Sequence, residues 1–230
     1  MNSEKYRTQN TAGNVMIYII IALALIGGLT MVLSRQNTVD SGTSLDQDKT
    51  ELLTTKMVAY AGSGKTVLDQ MMMSGSNVAS IDFCRPKDTS FDTGTHYTQI
   101  FHPDGGGLGY SDADANTFVM TATSPVSGWY MGRFNNVEWT PSTANDVLFV
   151  AYDVTQAMCE SIDKKITGST TIPIVAAADI RPYFIDVAYS SVANADFTTT
   201  ECAACDGYPS LCVTDSGSSV YVYYNIISGQ

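Results

Sequence analysis

The stretch Gly-Ser-Gly-Lys-Thr at residues 62–66 is a candidate for nucleotide binding. A phosphate-binding loop has the pattern Gly-x-x-x-x-Gly-Lys-[Ser/Thr] between a strand and a helix, because its successive backbone N–H groups must surround the phosphates. Counting back from Gly64, the position of the first glycine is occupied by Ala59. The motif is incomplete, and its surroundings have the apolar spacing of a helix interior. The sequence therefore predicts no nucleotide binding.

Cysteines offer a second kind of chemistry. In an oxidising compartment we expect disulfides to use four of the five cysteines and to leave one over or paired outside the chain. The Cys-x-x-Cys pair at Cys202 and Cys205 could also be a redox pair or half of a zinc site. The two histidines, His96 and His102, are not spaced as a ligand pair, so structural disulfides are the favoured interpretation. Their pairing stays open among Cys84, Cys159, Cys202, Cys205 and Cys212.

A loop rich in acidic residues and glycine, residues 102–116, is a weak calcium candidate. Oxygen ligands on alternate residues can converge on a hard cation. The candidate ligands are Asp104, Asp112, Asp114 and Asn116. An EF-hand would also need a glycine and a glutamate where this chain has Thr117 and Thr123. A solvated acidic turn is the favoured interpretation, and a different type of calcium site is the alternative.

Motifs of an enzyme are sparse. The sequence has neither a Gly-x-Ser-x-Gly elbow nor a His-Glu-x-x-His pair. His96 and His102 are interpreted as ordinary hydrogen-bonding residues, and we predict no catalytic residues and no cofactor besides the calcium alternative. The net charge of −11 argues against nucleic acid as a partner, since phosphate binding requires a basic face.

An apolar segment near the N-terminus predicts a membrane anchor. No charged residue occurs from Val15 to Leu33, a length sufficient to cross a hydrocarbon core about 30 Å thick. Lys5 and Arg7 precede it, and most of the acidic residues follow it. This distribution predicts a single span at residues 14–34 in the inner membrane, a cytoplasmic N-terminus, and a body that is periplasmic or carried on an extracellular filament.

A polar joint at residues 35–43 and an amphipathic stalk helix at residues 44–74 are predicted next. Ser44 and Gln47 match a capping box at the start of this helix, and Gly75 is a suitable left-handed cap at its end. Its apolar face is predicted from spacings of three and four residues. The residues of this face are Leu53, Met57, Tyr60, Gly64, Val67 and Met71.

Residues 75–230 are predicted to form an α+β head with a mainly antiparallel sheet, against which the stalk helix packs. A helix from Thr155 to Ile166 is expected to bury Met158, Cys159 and Ile162 and to expose Glu160, Asp163 and Lys164. The strand candidates are residues 78–84, 97–102, 117–123, 128–139, 146–154, 183–192 and 220–227.

The N-terminal organisation resembles the type IV pilins and the pseudopilins of type II secretion. The similarity consists of a short polar leader at residues 1–13, ending in Gly13, an apolar segment, an amphipathic stalk helix and a head with disulfides. The resemblance implies that a prepilin peptidase cleaves between Gly13 and Asn14 and methylates the new N-terminus. It also implies that the apolar helices pack together in a filament, for which Gly27 and Gly28 provide close contacts.

Two residues depart from the family pattern. Mature pilins usually begin with phenylalanine or methionine and carry a glutamate five residues along, where this chain has Asn14 and Tyr18. The departure implies a minor or tip subunit, or a protein that does not enter a filament. We therefore expect a non-enzymatic structural subunit whose partners are membrane lipid and other pilin or pseudopilin subunits. The alternative is a single-pass anchored binding protein, adhesin-like and possibly dependent on calcium.

Overall fold

The structure, a computed structural model, describes residues 41–229. The predicted leader, the cleavage position at Gly13 and Asn14, and the predicted membrane span at residues 14–34 lie outside the described residues. Within residues 41–229, no helix is both long enough and apolar enough to span a bilayer. The chain divides into a unit that ends at Asp48 and a compact unit from Lys49 to Gln230, which contains the head.

Helix α1, Ser41–Met73, is the longest element and corresponds to the predicted stalk helix. The backbone is already helical at Ser41, where the described residues begin, so Ser44 lies within the helix and not at the predicted start. The predicted end is confirmed. Gly75 has a φ of 97°, and the N–H groups of Gly75 and Ser76 donate to the carbonyls of Met72 and Met71, both at 3.0 Å. This pair of bonds is the Schellman arrangement.

The buried face of α1 is displaced by about one residue from the predicted face. Met57, Gly64 and Met71 were predicted to lie on it and are buried. Leu53, Tyr60 and Val67 are only half-buried, at the margin of the face. The remaining centre of the face is occupied by Thr54, Ala61 and Leu68, each with no exposed surface. The small residues Ala61 and Gly64 let the helix backbone approach the sheet closely.

A four-stranded antiparallel sheet forms the centre of the head. Its strands are β1 Gly128–Asn135, β2 Asp146–Tyr152, β3 Ser210–Thr214 and β4 Tyr221–Ser228. They lie in the order β1-β2-β4-β3. This sheet confirms the predicted α+β class, and three of its strands fall on predicted segments. Strand β3 was not predicted, because its short sequence overlaps the cysteine cluster.

Both faces of the sheet are covered, and strand β2 shows this most clearly because all seven of its residues are buried. Phe149 and Ala151 point into a core shared with α1, which includes Trp129 of β1. Leu148 and Val150 point into a second core on the opposite face. A slip of one residue in register would exchange these two sets, so the two cores together fix the pairing.

Helix α2, Gln156–Thr167, lies where the sequence predicts it. Thr155 caps its N-terminus by accepting from the N–H of Met158, and Gly168 ends it with a φ of 82°. Met158, Cys159 and Ile162 are buried as predicted. Asp163 was predicted to be exposed and is not, since it has no exposed surface.

The second core is closed by irregular segments rather than by the predicted strand at residues 183–192. That segment forms two short helices, α3 Arg181–Phe184 and α4 Val187–Ser190. Pro182 suits the first turn of α3, and Asp186 caps α4 by accepting from the N–H of Ala188. Residues 78–84, 97–102 and 117–123, also predicted as strands, make only isolated bridges and short turns.

The outer side of strand β3 is covered by residues 173–175. The N–H of Thr214 donates to the carbonyl of Pro173 at 3.0 Å, and the N–H of Val175 donates to the carbonyl of Thr214 at 2.8 Å. Ile174 and Thr214 form a parallel bridge. The last strand of the sheet thus has a partner for part of its outer edge.

Candidate functional site

Two disulfides are present in the head, as the sequence predicts. Cys159 of α2 is bonded to Cys212 of β3, and Cys202 is bonded to Cys205. Cys84 is the free cysteine, and it is buried. Burial raises the pKa of its thiol, which keeps it in the unreactive protonated form. The Cys-x-x-Cys pair thus forms a disulfide. The disulfide between Cys159 and Cys212 joins helix α2 to β3, a strand at the edge of the sheet.

Asp163 lies beside the first of these disulfides. Its Oδ1 accepts the N–H of Cys212 at 2.8 Å, which is a donor on the outer edge of β3. Its Oδ2 is buried and has no hydrogen-bond partner. Burial raises the pKa of this carboxyl to about 7, an effect that the bond from Cys212 only partly offsets.

Arg85 is held between two aromatic rings. Its guanidinium carbon lies 4.3 Å from the ring centroid of Tyr130 and 4.2 Å from that of Tyr189. It also pairs with Asp88 through bonds of 2.9 and 3.2 Å, and the hydroxyl of Tyr189 donates to Asp88 at 2.9 Å. Although burial alone would raise the pKa of Asp88, these hydrogen bonds lower it. The network connects residues 85–88 to β1 and α4.

Among the described residues, the three carboxylates of the four calcium candidates do not form a common group of metal ligands. Asp112 pairs with Lys87 at 2.6 Å, and Asn116 accepts from Lys49 at 2.7 Å. Asp114 accepts from the backbone of Asn116 and from the hydroxyl of Thr117, at 2.9 and 2.8 Å. These bonds are those of a closed acidic turn. Asp104, the fourth candidate, lies in a different cluster.

That cluster consists of His96, His102 and Asp104. One ligand atom from each of these side chains lies within 4.8 Å of the others, and they are the group within residues 41–229 that could hold a metal ion. The two imidazoles are stacked, with ring centroids 4.0 Å apart and planes inclined by 13°. The sequence spacing indicated no pair of histidine ligands, and the fold brings the two together.

Hydrogen bonds set the orientation of these groups. Nδ1 of His102 accepts the backbone N–H of Asp104 at 3.1 Å and lies 3.8 Å from Oδ2 of the same residue. The ring of His102 packs between His96 and Phe91, whose centroid is 5.3 Å away. Nε2 of His96 is buried and has no hydrogen-bond partner. The cluster therefore contains an imidazole nitrogen with unused bonding capacity.

The backbone around the cluster is tightly folded. The carbonyl of His102 accepts from the N–H groups of Gly105 and Gly107, both at 2.9 Å. A Cβ at Gly105 would lie 2.2 Å from the carbonyl oxygen of Gln99 and 2.4 Å from that of His96. Only glycine fits at this position, so residue 105 is what lets the loop return across His96 and place Asp104 near the imidazoles.

The Gly-Ser-Gly-Lys-Thr stretch lies in the middle of α1, which is the helical context predicted for it. The ammonium of Lys65 pairs with Asp69 at 3.3 Å and donates to the carbonyl of Ile227 at 3.3 Å. Gly64 faces the sheet, where a Cβ would lie 2.6 Å from a ring carbon of Phe149. The glycine thus has a packing role.

Comparisons with known proteins identify no relative. No protein-family model matches the chain, and no curated protein and no solved structure matches it.

Proposed function

We propose that the protein is a non-enzymatic structural subunit, similar to a minor pilin or pseudopilin, of a filament of the type IV pilus or type II secretion class. In this proposal the apolar segment from Val15 to Leu33 holds the chain in the inner membrane before assembly. The head lies on the periplasmic side or on the assembled filament, and the partners are membrane lipid and other subunits of the same kind.

The observation that carries the proposal is the packing of α1 on the sheet. A helix of 33 residues packs against an antiparallel sheet that is cross-linked to α2 by a disulfide, and its buried face includes the small residues Ala61 and Gly64. The sequence places an apolar segment before this helix. A hydrophobic N-terminal segment that continues into such a helix and head is the organisation that the resemblance to pilins implies.

The N-terminus of the mature chain tests the proposal. The full-length gene would be expressed in a host with a prepilin peptidase, and the intact mass of the membrane-extracted product would be measured. We expect a chain that begins at methylated Asn14. In the variant Gly13→Leu the leader should remain attached, whereas the control Asn10→Ala should be processed as before. An intact Met1 in the unaltered protein would argue against a pilin-like subunit.

Filament association gives a second readout. A processed subunit should copurify with sheared filaments or with the secretion pseudopilus, and the Gly13→Leu variant should stay in the membrane fraction. A protein that is processed but stays in the membrane would match the departures at Asn14 and Tyr18 and would remove the filament role.

A single-pass anchored binding protein is the second candidate. One structural observation favours it: a cleft of about 380 Å³ lies beside Asp104 and is lined partly by Gln70, Ser74 and Tyr97. Tyr97 is 72% exposed, so its side chain is accessible to a ligand, and tyrosine is common among residues that dominate binding. An intact Met1 together with surface localisation would support this candidate over the first.

A further inference from the structure

We propose that His96, His102 and Asp104 form a binding site for a divalent transition-metal ion of the zinc type. The proposal is independent of whether the protein enters a filament. The chain has two histidines in all, and both lie in this cluster with a carboxylate. Two imidazoles and a carboxylate are a donor set that proteins use for zinc with a fourth position left open.

The distances in the cluster are close to those of ligands that share one ion. Zinc takes imidazole nitrogen and carboxylate oxygen at about 2.0–2.2 Å, which places two ligand atoms of a tetrahedral site about 3.3 Å apart. Nδ1 of His102 lies 3.8 Å from Oδ2 of Asp104, and all three ligand atoms lie within 4.8 Å. Complete coordination would therefore bring the ligand atoms closer by up to about 1.5 Å. Because the lone pair of an imidazole lies in the plane of its ring, one of the two stacked rings would also tilt for both to reach the same ion.

The two kinds of ligand differ in their freedom to make that contraction. The side chain of His102 is 14% exposed and is held between two rings, whereas that of Asp104 is 77% exposed. The carboxylate can rotate toward the imidazoles without disturbing a packed core. A metal ion at Nδ1 of His102 would take over the lone pair that now accepts the N–H of Asp104.

A second observation points independently to a ligand at this place. Nε2 of His96 is buried without a hydrogen-bond partner, and leaving a buried polar group unpaired is unfavourable. The second imidazole lies parallel to this ring at 4.0 Å and presents no edge donor to it. An ion shared by the two imidazoles and the carboxylate would use the bonding capacity that the protein itself leaves unused.

The carboxylate of the cluster borders a cleft at the surface. Asp104 and Gly105 line the cleft of about 380 Å³ that also includes Gln70 and Ser74. Water or a ligand in this cleft could occupy the fourth position. Three protein ligands with an open position are typical of an exchangeable zinc ion rather than of a closed structural site.

The donor chemistry selects the class of metal. Calcium and magnesium bind through oxygen atoms, whereas imidazole suits zinc, nickel and copper. Cys84 is the one thiol outside the disulfides, and it hydrogen-bonds with Ser90 at 3.0 Å in a separate segment. The proposed site is therefore based on histidine, and its chemistry differs from that of the calcium hypothesis for Asp112 and Asp114.

Metal titration of the purified full chain, without a histidine tag and after treatment with a chelator, tests the proposal. Calorimetry would use Zn²⁺, and visible absorption would use Co²⁺ as a spectroscopic substitute for zinc. We expect one ion per chain and cobalt absorption bands of a four-coordinate site. Because both histidines lie in the cluster, a loss of these bands in His102→Gln assigns them to this site.

Matched variants make the outcome decisive. Asp104→Asn alters an exposed side chain, so it should leave the thermal midpoint of the metal-free protein unchanged and weaken Zn²⁺ binding by about tenfold or more. Asp112→Asn, a nearby carboxylate outside the cluster, and Cys84→Ser should bind Zn²⁺ like the unaltered protein. The proposal is overturned if Zn²⁺ does not bind, or if Asp104→Asn and His102→Gln bind it as well as these controls do.

Discussion

Oδ1 of Asp163 accepts the N–H of Cys212 at 2.8 Å, so a carboxyl group without exposed surface lies against the disulfide between α2 and β3. One oxygen satisfies a donor of the sheet edge, and the other is buried without a partner. Ionising this group places a negative charge in the protein interior, away from water. Burial therefore raises its pKa to about 7.

The contribution of Asp163 to the free energy of unfolding should therefore fall as the pH rises from about 4 to about 7. An unfolded aspartate has a pKa of about 3.9, so the folded protein binds more protons than the unfolded chain in this window. The contribution of Asp163 is lost progressively toward pH 7 and is constant above it. Asp163→Asn should remove this dependence and gain about 2–4 kcal/mol at pH 8, as measured by urea unfolding.

The exposed Asp92→Asn serves as the control for this experiment. Its unfolding free energy should follow that of the unaltered protein across the same pH range. Parallel curves for Asp163→Asn and the unaltered protein would show that the buried carboxyl does not titrate in this window.

The two disulfides should contribute unequally to stability. Cys159 and Cys212 are 53 residues apart, whereas Cys202 and Cys205 are 3 apart. In the chain-entropy model the longer loop stabilises the fold by about 4 kcal/mol and the shorter by about 2 kcal/mol. Two variants, each with both cysteines of one disulfide replaced by alanine, would be compared by denaturant unfolding. All four cysteines are buried to a similar degree, so the cost of shortening the side chains is similar in the two variants. Equal losses, or a larger loss for the short loop, would refute the expectation.

Two glycines of α1 should respond to alanine in opposite ways. At Gly62 a Cβ meets nothing within 4 Å, so Gly62→Ala should stabilise the helix by up to about 1 kcal/mol. At Gly64 a Cβ would lie 2.6 Å from the ring of Phe149. Gly64→Ala should therefore lower the free energy of unfolding by about 1–2 kcal/mol, even though alanine has a higher helix propensity than glycine. Thermal unfolding measures both, and a stabilising Gly64→Ala would mean that the helix does not pack closely on the sheet.

Replacing Arg85 by lysine should destabilise the head even though the charge is kept. Lysine cannot stack between Tyr130 and Tyr189 while bonding both oxygens of Asp88, so Arg85→Lys should cost about 1–2 kcal/mol. Arg133→Lys is the control, since Arg133 makes one exposed bond of 3.4 Å to the carbonyl of Ala79. Urea midpoints that shift equally for the two variants would show that the stack adds nothing.

The regular elements of the head were largely predictable from the sequence, because their periodicity reflects burial. Strands β1, β2 and β4 and helix α2 coincide with apolar runs of the expected period. The segment at residues 183–192 was mistaken for a strand because its apolar and aromatic residues suit either state. Pro182 in the first turn of α3 and Asp186 as the N-cap of α4 both favour the helical outcome.

The chemically distinctive groups were less predictable, because tertiary contacts decide their environment. Asp163 has the helical position of an exposed residue and is buried only because β3 packs over that side of α2. His96, His102 and Asp104 follow no periodic pattern, and the close fold at Gly105 is what unites them. The compact His-Pro-Asp-Gly sequence at residues 102–105 was the available signal for this turn.

The outer edge of β3 has a consequence for crowding. An edge strand with unpaired backbone N–H and C=O groups can pair with a strand of a second chain, and such pairing often initiates aggregation. Here the outward N–H of Cys212 is used by Asp163, and that of Thr214 is used by Pro173. Many copies of this head could stand side by side at high local density without this edge joining them into a shared sheet.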